Sequence, residues 1–135
     1  MKIELNAGLS ILVVEDIEET RDGIELLLKV NGYGVEGARN ELAAIESARR
    51  QRPDLILVSL GGQARAVIVT ARQIRERAEL GEGVPVVIFC SAEVNEGEEV
   101  AIGENVYLTR PDNFDQLRNL LARLLQKNSE VEIRL

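Results

Sequence analysis

Ile11-Leu12-Val13-Val14-Glu15-Asp16 is the stretch that decides how this chain folds. Consecutive apolar residues, two of them β-branched valines, stop abruptly on two acids. A strand that is apolar at every position must be covered on both faces, and that belongs to a parallel sheet flanked by helices. Working outward, the same signature returns at Leu55-Ile56-Leu57-Val58 after Pro53, and at Val84–Phe89. Tyr33–Ala38 and Val106-Tyr107-Leu108 are weaker strands of the same series. Between them the apolar spacing changes to that of helices. Glu18–Val30 carries Ile24, Leu27, Leu28 and Val30, with Asn31-Gly32 as its stop. Glu41–Arg50 carries Leu42, Ile45 and Ala48, and a third helix is expected from about Ala64 to Leu80. Glu93–Ala101 is expected as a short acidic helix. Phe114, Leu117, Leu120, Leu121, Leu124 and Leu125 mark a strong final one.

Five β-α repeats over residues 10–126 imply one α/β domain: a doubly wound, flavodoxin-like (βα)5 sandwich around a central five-stranded parallel sheet. Residues 1–9 form an N-terminal extension and 127–135 a C-terminal tail. Lys2–Leu5 and Glu130–Leu135 both alternate apolar with charged residues, the period of a half-buried strand, with a frayed end as the other option.

Composition narrows the function. Of 135 residues, 45 % are hydrophobic and 29 % charged, the mix of a globular domain. Sixteen Lys+Arg against 23 Asp+Glu leave a net charge of −7, which repels nucleic acid. The absence of histidine removes any His base, His metal ligand or phosphohistidine carried by this chain. The single cysteine forms no internal disulfide, and no apolar run is long enough to span a bilayer, so a cytoplasmic protein is expected.

In a doubly wound sheet the crevice lies at the C-terminal strand ends. The residues there are Glu15 and Asp16, Ser59, Cys90 and Ser91, and Thr109 and Arg110. Adjacent acids at the end of a buried strand call for a cation or another partner, although one of them serves equally well as a cap for the next helix. Gly32-Tyr33-Gly34-Val35-Glu36-Gly37 has the spacing G-x-G-x-x-G, but it follows a helix and runs into a strand, the reverse of a dinucleotide site. Cys90 has no cation beside it in sequence to activate it and is expected as a small buried residue.

Ile11–Asp16, Pro53–Leu60, Val84–Ala92 and Tyr107–Pro111, in that order and spacing, resemble the receiver domain of bacterial response regulators, the CheY-like family. The resemblance implies an aspartate phosphorylated by a partner histidine kinase, with a divalent metal held by an acidic pair. Glu15 and Asp16 match that pair. Ser59 stands at the phosphoacceptor aspartate, Cys90 or Ser91 at the phosphate-contacting Ser/Thr, Arg110 at the Lys, and Tyr107 at the switch aromatic.

The departures carry weight. A serine without a general base is a poor nucleophile and forms no acyl phosphate. Three carboxylates and a Lys become two carboxylates and an Arg, so a pocket charge of about −2 falls to about −1 at neutral pH. Arg110 is expected to fork onto Glu15 or Asp16 in the metal's place, with weak or absent magnesium binding.

The expectation is therefore a non-enzymatic pseudo-receiver without a cofactor. It would bind a signalling protein, such as a histidine kinase or another regulator, or itself as a homodimer. The docking face would be the last helix, Tyr107 and the fourth strand-helix region, with no output domain after residue 126. The alternatives are a regulator phosphorylated at another acid, Asp54 or Asp16, and a small-ligand-binding flavodoxin-like protein.

Overall fold

The computed structural model describes residues 8–89 and 93–133, with 127–133 as backbone only. β1 (Ser10–Glu15), β2 (Gly34–Ala38), β3 (Leu55–Ser59), β4 (Val86–Phe89), β5 (Glu99–Gly103) and β6 (Val106–Thr109) form one sheet in the order β2-β1-β3-β4-β6-β5. Five strands run parallel, as the apolar runs require, and β5 is antiparallel to β6.

Strand residues alternate between two cores. Leu12, Val14, Ile56 and Val58 pack with α2 (Glu41–Arg50) and α3 (Ala64–Arg77). Ile11, Val13, Leu55 and Leu57 pack with Leu28 of α1 (Glu18–Val30) and with Leu117, Leu120, Leu121, Leu124 and Leu125 of α4 (Phe114–Ile133). The helices therefore lie on both faces, the doubly wound sandwich expected. No helix among the described residues is long and apolar enough to cross a membrane.

Two expectations fail. Glu93–Ala101 is not a helix: Glu99–Gly103 is an edge strand that makes the sheet six-stranded. Val100 and Ile102 are β-branched, Gly97 interrupts the acidic run, and Glu104-Asn105 closes a two-residue hairpin. Their φ angles of 57° and 64° are the left-handed pair of a type I′ turn, whose twist suits paired strands. At the other end, α4 runs on to Ile133, so the alternation in Glu130–Ile133 is not that of a strand. No Gly or Pro follows Leu125 to stop the helix. Lys2–Leu5 lies outside the described residues.

Candidate functional site

β1 and β3 are neighbours, and their register sets Glu15 directly beside Ser59 at the C-terminal edge. The chain leaves β1 for β2 on one side and returns to β3 on the other, the switch point at which such sheets form their crevice. A shallow depression of about 440 Å³ opens there, lined in part by Glu15, Asp16, Ser59, Thr109 and Arg110. Four of the residues expected from the family pattern thus converge. Cys90 and Ser91 lie outside the described residues.

Glu15 is buried, and its charge is compensated locally. The Ser59 hydroxyl donates to its Oε1 at 3.0 Å, and the Ile17 N–H donates to Oε2 at 3.2 Å. Arg21 Nη1 donates to the Glu15 carbonyl at 2.8 Å, tying the first turn of α1 to the strand end. The capping option is not realised: α1 has no side-chain cap, and Glu15 holds only the N–H of Ile17, the residue that precedes the helix. Asp16 is exposed.

Arg110 departs from expectation. No ion pair joins it to Glu15 or Asp16 among the described residues. It is an exposed residue whose backbone is fixed instead: its N–H donates to Glu98 O at 3.2 Å, and its carbonyl accepts from Gly97 N at 2.7 Å. These bonds belong to the turn before β5, which replaces the expected helix. Thr109 Oγ1 is likewise spent on Glu98 O, at 3.2 Å. Ile17, Leu60, Phe89 and Pro111 also line the depression, and their places next to strand ends were the only signal for them.

Two other sequence features resolve into structure. Asp54 lies before β3, five residues from Ser59 and about 16 Å away along a strand. Its Oδ2 accepts from Ser10 N at 2.8 Å, so it joins β1 to β3 at the far pole. In the glycine motif, Gly32 has φ 93° at the stop of α1, and a Cβ on Gly37 would stand 2.7 Å from Glu25 Oε2. The spacing thus comes from a turn and a close approach.

Tyr107 is half-buried on β6, with its hydroxyl donating to Asn105 Oδ1 at 2.8 Å. It opens on a second concavity, of about 510 Å³, between the β5–β6 hairpin and α4. Leu120 and Leu124 floor it, and Glu99 and Arg123 close one side through a 2.6 Å ion pair.

Comparison with known proteins agrees with this geometry. The response regulator receiver domain model matches residues 11–122. Response regulator MprA of Mycobacterium sp. (strain KMS) is 28 % identical over 90 % of this chain. The alignment covers 53 % of MprA, so the chain spans about half the length of that relative. Among solved structures, the receiver domain of sensor histidine kinase PA1611 from Pseudomonas aeruginosa, solved with magnesium in its active site cleft, is 28 % identical, with a TM-score of 0.63 over 89 % of this chain and 99 % of that one. Chemotaxis protein CheY4 of Vibrio cholerae, at 20 % identity and TM-score 0.64 over 87 % of this chain and 99 % of its own, shares the fold.

Proposed function

This chain belongs to the response regulator receiver domain family of two-component systems, and from that premise we propose that it is a pseudo-receiver, a non-enzymatic module that signals by binding a protein partner without an aspartyl phosphate. One observation carries the reading. Ser59 occupies the acceptor position, and its hydroxyl is already spent as a donor to Glu15. A serine has no carboxylate to form an acyl phosphate, and the buried acid beside it is a hydrogen-bond acceptor for two neighbours instead of a free ligand.

The same geometry argues against magnesium. A hard divalent ion wants several oxygen ligands with one or two free carboxylates. Here Glu15 is committed to two donors, which leaves Asp16 as the one free carboxylate of the pair, and no group of three or more His, Cys, Asp or Glu side chains suited to a metal occurs among the described residues. One free carboxylate is too sparse a set of ligands for the ion.

The partner in this reading is a signalling protein, such as a histidine kinase or another regulator, met on the face of α4 and Tyr107. The Leu120–Leu124 floor beside an ion-paired rim suits an amphipathic element there. The single cysteine fits action in the cytoplasm.

The test is intact mass after incubation with magnesium and acetyl phosphate, beside an ordinary receiver. The expected result is a labelled control and no added phosphoryl mass on this chain. A stoichiometric adduct that hydrolyses like an acyl phosphate would overturn the reading, and mapping it to Asp16 would make that exposed acid the acceptor.

A further inference from the structure

α1 ends on Asn31-Gly32, and Asn31 is the only asparagine in the chain that is followed by glycine. We propose that Asn31 is a modification site, converted without an enzyme to aspartate and isoaspartate at a rate set by local opening of the last turn of α1. This inference is independent of the pocket and of the phosphorylation reading.

Asparagine is a thermolabile residue, and its own backbone displaces the side-chain amide. The Gly32 nitrogen attacks Asn31 Cγ, a C–N bond forms, and the side-chain nitrogen leaves as ammonia with the proton from Gly32 N. The product is a five-membered succinimide. Water then adds to either carbonyl of the ring and reopens it, giving aspartate or, with the chain routed through the side chain, isoaspartate. Glycine favours the first step because no side chain crowds the attacking nitrogen. The other asparagines of the chain are followed by Ala, Glu, Val, Phe, Leu or Ser.

The fold holds the reacting groups apart. Asn31 has ψ 9°, which turns Gly32 N toward Asn31 N and away from the side chain. The Gly32 N–H donates to Lys29 O at 3.0 Å, and Asn31 Nδ2 donates to Leu27 O at 2.8 Å. Both bonds must break before the ring closes. Leu28 is the only buried residue of α1, and beyond it Lys29 and Val30 are exposed, Val30 by 75 %. Such a helix end opens at far less cost than the whole domain. The product cannot restore the closed end. A carboxylate at position 31 has no proton to donate to Leu27 O, and it sits at the negative end of the helix dipole. Isoaspartate also lengthens the backbone just before Tyr33, whose N–H returns to Leu28 O at 3.2 Å. The modified chain therefore keeps the junction between α1 and β2 loosened.

The test follows the unaltered full chain in mildly alkaline buffer, folded and in concentrated urea, by mass spectrometry of the tryptic peptide 30–39, whose single asparagine is Asn31. The folded chain is expected to convert about tenfold or more slowly than the unfolded one. Hydrogen exchange at the Gly32 amide reports the same opening, so its protection is expected to match that slowing. Leu28→Ala is expected to speed conversion in the folded state, and Asn40→Ala, which weakens a different helix, to leave it unchanged. Asn31→Asp is expected to exchange faster at the end of α1. Equal rates folded and unfolded, no conversion in the folded chain, acceleration by Asn40→Ala equal to that by Leu28→Ala, or unchanged exchange in Asn31→Asp would each overturn the proposal. Should Leu28→Ala fail to fold by circular dichroism, the unaltered chain decides it: a Gly32 protection that departs from the measured slowing overturns the gating.

Discussion

The Ser59 hydroxyl donates to Glu15 Oε1 at 3.0 Å, and this contact replaces the paired carboxylates that the family pattern implies at these two strand ends. One buried acid with a neutral donor is self-sufficient, whereas two neighbouring acids need a cation. Ser59→Ala removes the donor and is expected to cost about 1 kcal/mol, read as a fall of about 4 °C in Tm. Ser59→Asp is expected to cost more without divalent ions, since like charges then meet beside a buried group. Added magnesium should raise the Tm of Ser59→Asp and leave the unaltered protein unmoved. Equal magnesium shifts in the two would show that position 59 does not set the affinity.

Arg75 is a buried cation with a structural task. Its Nη1 donates to Val84 O at 3.1 Å and reaches Asn105 O at 3.5 Å, so α3 holds the approach to β4 and the turn of the β5–β6 hairpin together. Burial pulls its pKa below the ordinary arginine value, while Glu82 and Glu104 pull the other way. Arg75→Met keeps the bulk but strips Val84 O of this donor, while Asn105 O keeps the Val86 N–H at 3.0 Å. The expected loss is roughly 2–3 kcal/mol in urea unfolding, with faster amide exchange in the hairpin. A loss under a few tenths of a kcal/mol would mean water replaces the guanidinium freely.

The sheet and the first two helices were legible because their signals are local and agree with one another. Ile11–Val14 and Leu55–Val58 are apolar on both sides of the pleat, and Gly32 stops α1. The convergence of Glu15, Asp16, Ser59 and Arg110 followed from strand ends alone. β5 was misread because four glutamates within Glu93–Glu99 suggest a helix, while the turn at Glu104-Asn105 needs two left-handed residues and the first is a Glu, a type that rarely marks one. Arg110 escaped for the same reason: what fixes its backbone is the turn preceding β5, invisible until that strand is placed.

Asn40 is the clearest local stop-and-start signal in the chain. It precedes α2 with an extended backbone, and its Oδ1 accepts from Ala43 N at 2.9 Å. That bond satisfies one of the amides left open at a helix start. Asn40→Ala is expected to cost about 1 kcal/mol, and Asn40→Asp or Asn40→Ser to recover most of it. Thermal melts of the three variants check the order, and equal melts for Ala and Asp would remove the cap from the account.

Tyr33, between α1 and β2, is buried with a hydroxyl that has no hydrogen-bond partner among the described residues. Burial disfavours the phenolate and pushes its pKa above 10.0. The folded chain therefore keeps this proton at a pH where the unfolded chain releases it. Above about pH 10 the native state binds more protons than the unfolded one, so stability falls as pH rises from there toward the folded pKa. Tyr33→Phe removes both effects. It is expected to stabilise the protein at neutral pH by about 1 kcal/mol, the hydroxyl being costly where nothing pairs it. It is also expected to lose part of the alkaline decline. Urea unfolding of both chains from pH 8 to 11 separates this residue from the lysines and other tyrosine, which titrate alike in each. A gap between the two stabilities that widens above pH 10 is the expected result, and parallel curves would show that the Tyr33 phenol titrates alike in the folded and unfolded chain.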